Sequence, residues 1–328
     1  MSDLCVVHLV WKPLGPAYLR RFLAAYRGVR AGRPHRLVVA LNGFAADELA
    51  PCRALLSDVP HDEVVLPSPM QDIPAYLAVA RTLACEMLCF CNSYSEPLAD
   101  GWLGSLHAHA CLPGVGLVGA SGSWESHRGN LERVMTPAGL VERVAARLRR
   151  GGTAAASSAR APSTAVDGSR LPWRRLARLR RELARARERF EPFPTPHVRT
   201  NGFMVRRELF LDLDLGPLRD KGDALEFESG RWSLTRQVEA RGLAVLMAGR
   251  DGRAYPPDEW WRAGGYRSGL QENLLVADNR TGEYATMLPR EQERIRALTW
   301  GQDPVAVSRL VAARTRPRRP PGLPADGA

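Results

Sequence analysis

The fold is decided by residues 83–106, which read LACEMLCFCNSYSEPLADGWLGSL. The apolar run Met87–Cys91 predicts a strand that is buried on both faces. Five polar residues, Asn92–Glu96, follow this strand, and Pro97–Gly101 forms a turn into a helix that begins near Trp102. Ligands of open α/β sheets bind at the carboxyl ends of the strands, so this turn is the first candidate for chemistry.

The rest of the first 120 residues alternates between strands and helices. A helix starting at Ile73 leads into the strand Met87–Cys91. This alternation predicts a doubly wound sheet whose strands run parallel. The other predicted strands of this part are Leu4–Trp11, Arg36–Leu41, Glu63–Leu66 and Val115–Ala120.

The composition of the sequence changes between residues 131 and 191. Leu140–Arg150 is a basic helical segment, Gly151–Ser169 is a low-complexity stretch without fixed structure, and Leu171–Phe190 is an arginine-rich helix. That helix carries a narrow apolar stripe, which would pack on a neighbouring helix or domain or lie on a membrane surface, and we expect packing. The stripe consists of Leu176, Leu179, Leu183, Ala186 and Phe190.

Regular patterns return after Pro192. They predict a strand at Phe203–Val205, a helix at Trp232–Arg241 and a strand at Leu243–Ala248. Residues Arg314–Ala328 are typical of a disordered tail.

The composition is that of an ordinary globular protein. The chain has 328 residues, is 45% hydrophobic and carries a net charge of +11, almost all of it from arginine. A basic balance suits an anionic partner such as nucleic acid, phospholipid headgroups or a diphosphate, and biased codon usage explains it equally well. No window approaches 18 uninterrupted apolar residues, and Asp3 stands where a secretory signal carries positive charge. We therefore expect a cytoplasmic protein.

The six cysteines do not indicate a metal site. Cys85, Cys89 and Cys91 lie close together in the sequence, but the change from helix to strand directs their thiols to different faces. No second pair of cysteines or histidines at zinc spacing accompanies them. We expect small buried thiols.

The order of these pieces resembles a GT-A glycosyltransferase, in particular the family-2-like bacterial enzymes. FCNSYSEPLADGWLGSL is similar to the family's core, in which a strand ends in an acidic DxD motif and a Gly-Trp pair, here Gly101-Trp102, opens the next helix. TNGFMVRRELF followed by FESGRWSLTRQVEARGL is similar in order and spacing to the segments that carry the family's catalytic base.

This resemblance covers about residues 4–128 and 192–255. It implies an α/β fold with a GT-A-like doubly wound mixed sheet over residues 1–300, interrupted by a helical basic insertion at 131–191. Residues 301–328 would form a helical end and the disordered basic tail.

This sequence departs from the family at the positions of the metal ligands. Asn92 and Tyr94 stand where the family has aspartates, and neither residue type is a good ligand for Mg²⁺ or Mn²⁺. Three alternatives stay open: arginines assist departure of the nucleoside diphosphate, Glu96 holds a divalent metal, or the site is inactive. The arginines in suitable loops are Arg199, Arg250 and Arg253.

Glu228 is the residue we expect to act as the catalytic base. An inverting transfer needs a carboxylate that takes the proton of the acceptor hydroxyl as it attacks the anomeric carbon. The sequence predicts a turn at 227–230 that opens the helix Trp232–Arg241, where the helix dipole would stabilise the ionised carboxylate. The alternative is an ordinary capping acid. Glu226, two residues away, is the weaker candidate.

Further residues match the donor side of the family's site. The resemblance implies that Asn42 and Asp72 contact the base and ribose of the nucleotide-sugar donor, together with Asn92, Tyr94 and Glu96. Asp72 precedes Ile73-Pro74, so it is equally plausible as a helix N-cap.

Other residues match the diphosphate or acceptor side. Arg199, Asn201 and Arg250 would bind there, although Arg199 and Asn201 could simply bond the turn that contains them. Trp232 and the pair Trp260-Trp261 could stack on sugar rings, but paired tryptophans more often belong to a core or an interface.

We therefore expect a transferase that moves a sugar from a nucleotide-sugar donor to a glycan or lipid-linked acceptor with inversion. The basic insertion would hold it near an anionic acceptor or, as a peripheral protein, at the inner membrane face. One rival is an inactive protein of the same fold that binds a nucleotide-sugar or glycan. A nucleic-acid binder has less support, because Trp173 and Phe190 are the only stacking aromatics in the basic helix.

Overall fold

One mixed sheet forms the centre of the molecule. The computed structural model describes residues 3–136, 171–218 and 221–315. Among these residues the large sheet has eight strands in the spatial order β11-β10-β6-β9-β4-β1-β2-β3. The strands are β1 Leu4–Trp11, β2 Arg36–Asn42, β3 Asp62–Leu66, β4 Met87–Cys91, β5 Glu96–Pro97, β6 Val115–Gly119, β7 Gly122–Ser123, β8 His197–Val198, β9 Gly202–Arg206, β10 Ala244–Ala248, β11 Ala254–Tyr255 and β12 Val276–Ala277.

Helices connect and cover these strands. They are α1 Gly15–Gly28, α2 Ala50–Leu56, α3 Asp72–Thr82, α4 Trp102–Ala110, α5 His127–Met135, α6 Leu171–Arg189, α7 Arg207–Leu211, α8 Lys221–Ser229, α9 Leu234–Ala240, α10 Asn279–Ala285, α11 Pro289–Trp300 and α12 Pro304–Thr315. Short 3₁₀ turns occur at Lys12–Leu14, Ala46–Glu48 and Trp260–Arg262.

The strand directions define one functional edge of the sheet. β1 pairs in parallel with β2 and β4, β2 with β3, and β6 with β10. β9 lies between β4 and β6 and is antiparallel to both. The carboxyl ends of β1, β2, β4, β6 and β10 therefore share an edge, here called the carboxyl edge, with the amino end of β9. The parallel arrangement predicted for the first 120 residues is confirmed, within a sheet that is mixed as a whole.

The sheet is buried on both faces, as the unbroken apolar runs predict. Alternate β1 residues face opposite ways: Cys5, Val7 and Leu9 join one apolar cluster, and Val6 and Val10 join the other. The first cluster includes residues of α3, α7 and α9, and the second includes residues of α1, α2 and α4. The architecture is a three-layer α/β/α sandwich.

The Gly-Trp pair makes a tight junction at the start of α4. Gly101 has φ +76°, and a Cβ at Gly32 would come within 2.7 Å of the Gly101 Cα. Backbone N–H groups at this helix start donate to the carbonyls of Arg30 and Ala31 at distances of 2.7 to 3.1 Å. Glycine is needed here because the two chain segments touch, and the contact supplies the acceptors that a helix N-terminus lacks.

Two predicted helices have different bounds. The helix predicted to lead from Ile73 into β4 is α3, which begins at Asp72 and already ends at Thr82, so that a short loop separates it from the strand. The helix predicted at Trp232–Arg241 is α9, and its N-cap is Ser233, whose side chain accepts from the Arg236 N–H. Residues 221–229, predicted to lead through a turn into that helix, instead form the separate helix α8.

The apolar stripe of α6 packs, as predicted. Leu183, Ala186 and Phe190 are buried, and α6 packs against α5. At its end, the Arg189 guanidinium lies 2.5 Å from both Asp223 and Glu226 on α8. The insertion helix is thus fixed to two neighbours.

Some predictions lie outside the described residues. These are the basic segment Leu140–Arg150, the low-complexity stretch Gly151–Ser169 and the tail beyond residue 315. Arg314 was predicted to start the tail but lies in α12, which continues to Thr315. Within the described ranges, no helix has the length and apolar content needed to span a bilayer.

Candidate active site

The turn after β4 uses its polar atoms to hold the carboxyl edge together. The Asn92 side-chain oxygen accepts from the Tyr94 N–H at 2.9 Å and lies 3.2 Å from the Ser95 hydroxyl. The Ser93 hydroxyl accepts from the Trp11 N–H at 3.0 Å and donates to the Leu9 carbonyl at 2.8 Å. This is an Asx turn that fixes β4 to the end of β1.

Glu96, the carboxylate of this turn, is already paired. It lies 2.5 Å from the Arg21 guanidinium, and its backbone pairs with Ala277 in a small two-stranded sheet. The Asn92 oxygen is likewise occupied by its own turn. No group of three His, Cys, Asp or Glu side chains suited to a metal occurs among the described residues. The donor set here therefore does not fit the divalent cation that the resemblance implies.

Glu228 lies at the same edge, joined to this turn by a short chain of hydrogen bonds. Its Oε1 accepts from the Thr200 N–H at 3.2 Å and lies 3.4 Å from the Thr200 hydroxyl. The next residue, Asn201, accepts from the Ser95 hydroxyl through its carbonyl. The two segments that the sequence predicts to face each other are thus brought together.

The helix environment of Glu228 differs from the prediction. Glu228 is the last residue but one of α8, so it lies at a helix C-terminus and not at a helix start. The dipole at that end disfavours a negative charge. The prediction that a helix dipole stabilises this carboxylate is wrong, and Thr200 supplies the stabilising donors.

Asp72 is a second carboxylate in the field of Glu228. It is half-buried at the first residue of α3, and its carboxylate has no hydrogen-bond partner among the described residues. Burial raises the pKa of Asp72 to about 6, and the negative charge of Glu228 adds to this effect. A carboxylate with such a pKa can change its protonation state near neutral pH.

Two buried polar atoms without partners belong to residues next to this carboxylate pair, since Asn201 follows Thr200, which holds Glu228, and Tyr76 lies one helical turn after Asp72. The Asn201 Nδ2 and the Tyr76 hydroxyl are both buried, and neither has a hydrogen-bond partner within the described ranges. The Asn201 Oδ1, in contrast, accepts from the Ser121 hydroxyl at 2.9 Å. Unsatisfied buried groups are rare and costly, so these two atoms indicate a place where a ligand or water completes the bonding.

His197 is a neighbour of Glu228 that the sequence did not suggest. Its ring is buried, and Nδ1 donates to the Thr195 carbonyl at 2.8 Å, because a carbonyl can only accept. Burial lowers the pKa of His197, and the charge of Glu228 opposes this effect. The ring is therefore neutral at pH 7, and its Nε2 is an acceptor.

Arg199 is engaged in the protein interior. Its guanidinium lies 2.6 Å from Asp278 and stacks 4.1 Å from the centre of the Tyr266 ring. Burial alone would lower the pKa of Arg199, but the charge of Asp278 outweighs it and the pKa is raised. Arg199 is a permanent cation whose charge is already balanced, which leaves little of it for a diphosphate.

The remaining predicted site residues lie in different surroundings. The side-chain amide of Asn42 pairs with the backbone of Met70, donating at 2.8 Å and accepting at 2.9 Å. Trp232 is 52% exposed in the turn after α8. Arg250 lines a separate cleft of 540 Å³ beyond the end of β10, and Arg253 is exposed in the same loop.

The paired tryptophans belong to the core, as expected. Trp260 is buried, and its ring lies so close to Gly122 that a Cβ there would come within 2.5 Å of it. Trp261 is half-buried and packs against the same apolar cluster. The buried Trp260 ring is therefore not available to stack on a sugar.

Two further residues beside Tyr94 were missed by sequence reasoning. The Tyr18 ring meets the Tyr94 ring edge to face at 5.0 Å. Burial raises the pKa of Tyr94, and the positive charge of Arg280 opposes the rise. Arg280 lies on α10, in a part of the sequence without a clear pattern, so only the folded chain reveals its place near the turn.

Comparisons with known proteins found only distant structural likeness. No family model matches the sequence, and no curated protein matches it. A mannosyltransferase from Pyrobaculum calidifontis, solved with GDP-Man and Mn²⁺, is 11% identical over 95% of this chain and 75% of its own, with a TM-score of 0.40. The 4-diphosphocytidyl-2C-methyl-D-erythritol synthase from Anaerococcus prevotii is 8% identical over 75% and 88%, with a TM-score of 0.39.

A third solved structure is similar over a shorter part of both chains. Glucosyl-3-phosphoglycerate synthase from Mycobacterium tuberculosis, solved with Mn²⁺, UDP and glucosyl-3-phosphoglycerate, is 15% identical over 64% of this chain and 58% of its own, with a TM-score of 0.33. Likeness at these scores carries no argument about function, which therefore depends on the site itself.

Proposed function

We propose that this chain is a glycosyltransferase that moves a sugar from a nucleotide-sugar donor to a hydroxyl of a glycan or lipid-linked acceptor. The observation that carries the proposal is the convergence of Asp72, Glu228 and unsatisfied polar atoms at the carboxyl edge of the sheet. That edge is where open α/β sheets bind ligands. The sequence resemblance to GT-A enzymes supplies the reaction type.

Glu228 acts as the base in this proposal. One carboxylate oxygen is held by Thr200, and the other has no hydrogen-bond partner among the described residues. That free oxygen takes the proton of the acceptor hydroxyl while the hydroxyl oxygen attacks the anomeric carbon. The nucleoside diphosphate leaves from the opposite side, so the anomeric configuration inverts.

Asp72 binds donor hydroxyls in this proposal. An ionised carboxylate accepts two hydroxyl hydrogen bonds, which suits a ribose or a sugar ring. A hydroxyl ligand would also supply the partners that Asp72 lacks in the described part of the chain. The match to the family's donor positions supports the same role.

Arg280 assists departure of the diphosphate in this proposal, in place of the arginines first considered. Arg199 is balanced by Asp278, and Arg250 lies in the separate cleft. Arg280 is exposed, and its contact with Glu283 at 3.1 Å is a surface ion pair that a phosphate can replace at little cost. Its charge already acts on Tyr94 in the turn after β4.

In this proposal, exposed arginines of α6 bind an anionic surface at the inner membrane face, where the acceptor lies. Arg181 and Arg185 are exposed on the side of α6 opposite the buried Leu183. They have no ion-pair partner among the described residues. We expect the variant carrying both Arg181→Gln and Arg185→Gln to sediment less with vesicles that contain anionic lipid. If it sediments as much as the wild type, these arginines face solvent and do not bind the membrane.

A donor panel tests the proposed reaction. UDP-, GDP- and dTDP-sugars are incubated with the protein, with Mn²⁺ or with EDTA, and the release of nucleoside diphosphate is measured. We expect one nucleotide class to turn over in the presence of EDTA. Binding of a donor without turnover under every condition would favour the rival, an inactive binding protein.

A further inference from the structure

A second cleft lies at the carboxyl edge, beyond the end of β10. It has a volume of 540 Å³, which is within the range of small-molecule sites. Arg250 and Asp251 line it from the turn after β10, and residues between 262 and 273 line it from the following loop. The proposed transfer reaction uses none of these residues.

The side chain of Asn273 joins the two walls of this cleft. Its Oδ1 accepts from the Asp251 N–H at 2.7 Å, and its Nδ2 donates to the Ala263 carbonyl at 2.7 Å. The loop is also anchored in the interior, where the Arg267 guanidinium lies 2.8 Å from the Glu125 carboxylate. Both walls are therefore held in place by the protein's own contacts.

Two guanidinium groups of the cleft are available to a ligand. Arg250 and Arg262 are exposed, and neither has an ion-pair partner in the part of the chain that the structure describes. The Arg262 guanidinium carbon lies 5.1 Å from the centre of the Trp261 ring, a cation–π contact that restricts its position. Guanidinium groups match the oxygens of phosphate and carboxylate with paired hydrogen bonds. The cleft therefore suits an anionic group.

Two carboxylates also line the cleft, and they oppose an anion unequally. Asp251 is bonded within the protein, because its Oδ2 accepts from the Tyr255 hydroxyl at 2.5 Å and its Oδ1 from the Arg253 N–H at 3.1 Å. Glu272 is exposed and has no ion-pair partner within the described ranges. Solvent screens its charge, so Glu272 should weaken the binding of an anion without preventing it.

The place of the cleft in the sheet relates it to the proposed reaction centre. β6 and β9 lie between β10 and β4, so three strand spacings, or about 14 Å, separate the ends of β10 and β4. From Asn273 the chain continues into β12, which pairs with β5 in the turn after β4. A ligand that contacts both places must be longer than one sugar ring.

We propose that this cleft binds an anionic group, a phosphate or a carboxylate, that an acceptor glycan carries at a distance from the reacting hydroxyl. Arg250 and Arg262 donate hydrogen bonds to the oxygens of this group. The assignment to the acceptor rests on the proposed function, whereas the binding of an anion by the two arginines does not. The cleft would then favour acidic acceptors over neutral ones.

Ligand-observed NMR titration of the full chain tests the cleft with small probes. Glucose 6-phosphate, glucuronate and neutral glucose are titrated separately at low ionic strength. We expect both acidic sugars to bind and glucose not to bind measurably, and the tighter acidic sugar identifies the group as phosphate or carboxylate. In the variant carrying both Arg250→Gln and Arg262→Gln, the affinity for acidic sugars should fall by about tenfold or more. Glu272→Gln should raise it by about twofold.

Arg253→Gln is the matched control. Arg253 is an exposed arginine of the same turn, but it does not line the cleft. The affinity of this variant for acidic sugars should stay within about twofold of wild type. The proposal would be overturned if the wild type bound neither acidic sugar, or if the variant lacking both cleft arginines bound them as tightly as the wild type.

Nucleoside diphosphates distinguish this proposal from the proposed function. UDP or GDP should bind equally to the wild type and to the variant lacking both cleft arginines, because the donor lies at the turn after β4. Weaker nucleoside diphosphate binding in that variant would make the cleft part of the donor site and overturn the assignment to the acceptor. Arginine-dependent binding of acidic sugars without turnover of any donor would contradict the proposed function and retain the anion site.

Discussion

The turn after β4 and the carboxylate pair of Asp72 and Glu228 lie at the same edge of the sheet but use their polar atoms in opposite ways. In the turn, Asn92, Ser93 and Glu96 are bonded to the protein's own backbone or to Arg21. In the pair, Asp72 has no partner among the described residues, and Glu228 offers one free oxygen. The difference teaches that, in this chain, the polar groups at the motif position bond within the protein, whereas the carboxylates that keep free oxygens lie beside it.

The largest expected effect comes from neutralising the carboxylate that we assign as base. Glu228→Gln keeps the shape of the side chain and its contact with Thr200 but removes the proton acceptor. We expect kcat for the donor that turns over to fall by about 10²- to 10⁴-fold, with donor binding nearly unchanged. Single-turnover kinetics and donor titration measure the two quantities.

A matched control lies two residues away. Glu226 is on the same helix but is bonded to Arg189. Glu226→Gln should retain kcat within about twofold. An unchanged rate in Glu228→Gln would break the comparison, because the carboxylate pair would then be no more reactive than the turn.

The next largest effect should come from breaking the buried ion pair between Arg199 and Asp278. Asp278→Ala leaves the Arg199 guanidinium without its partner in the interior and removes the N-cap of α10. We expect a loss of about 3–5 kcal/mol in the free energy of unfolding, measured by urea denaturation. Asp100→Ala, which removes an exposed carboxylate bonded to Arg30, should cost much less. Equal losses would show that the Arg199 pair is no better shielded than a surface pair.

Asp72→Asn should have a smaller effect on the free energy of unfolding, and that effect should depend on pH. The pKa of Asp72 in the folded chain, about 6, lies above its value in the unfolded chain, about 3.9, so folding favours the protonated form. The stability contributed by Asp72 is therefore complete below about pH 4 and is lost as the pH rises through 6. Asp72→Asn should raise the free energy of unfolding at pH 7.5 by about 1–2 kcal/mol, after discounting for solvent screening, and by about half as much at pH 5.

Urea denaturation of wild type and Asp72→Asn at the two pH values measures this difference. Asp58→Asn, at the exposed surface pair with Arg27, is the control and should show no such gain at pH 7.5. A stability difference that does not vary with pH would assign the effect of Asp72→Asn to packing.

The smallest expected effect belongs to the turn. Glu96→Gln weakens a partly exposed pair with Arg21 and should change the free energy of unfolding by less than about 1 kcal/mol. Turnover should stay within about twofold of wild type, with either Mn²⁺ or EDTA present. A metal-dependent rate that disappears in Glu96→Gln would break the comparison, because the turn would then contribute a metal ligand.

Sequence patterns predicted the structure best for strands that are buried on both faces. β1 and β4 have the predicted bounds, because short apolar runs that are bounded by turn residues favour strands buried on both faces. The resemblance to GT-A enzymes also implied that Glu228 and the turn at 92–96 lie at one edge, and the structure brings them together there. It misjudged α8, because KGDALEFES has a weak helical pattern beside the glycine that ends it.

Other features could not be read from the sequence, since they depend on pairing between distant segments. The contact of Arg199 with Asp278 joins residues 79 positions apart, and no local pattern marks either side chain as a partner. The effect of Arg280 on Tyr94 likewise arises only when α10 folds back over the edge. The raised pKa of Asp72 needs both its burial and the distant Glu228.

The ion pairs of Arg189 join the insertion helix α6 to α8, the helix that carries Glu228. Arg189 holds Asp223 and Glu226 on one side of the helix that carries Glu228, and its carbonyl accepts from the Arg231 N–H just beyond that helix. Docking of the insertion to a surface would therefore act through the Arg189 guanidinium on the position of Glu228. In the proposed function, attachment to a surface and proton transfer at Glu228 would then be coupled, and detachment would leave the Glu228 carboxylate less firmly positioned.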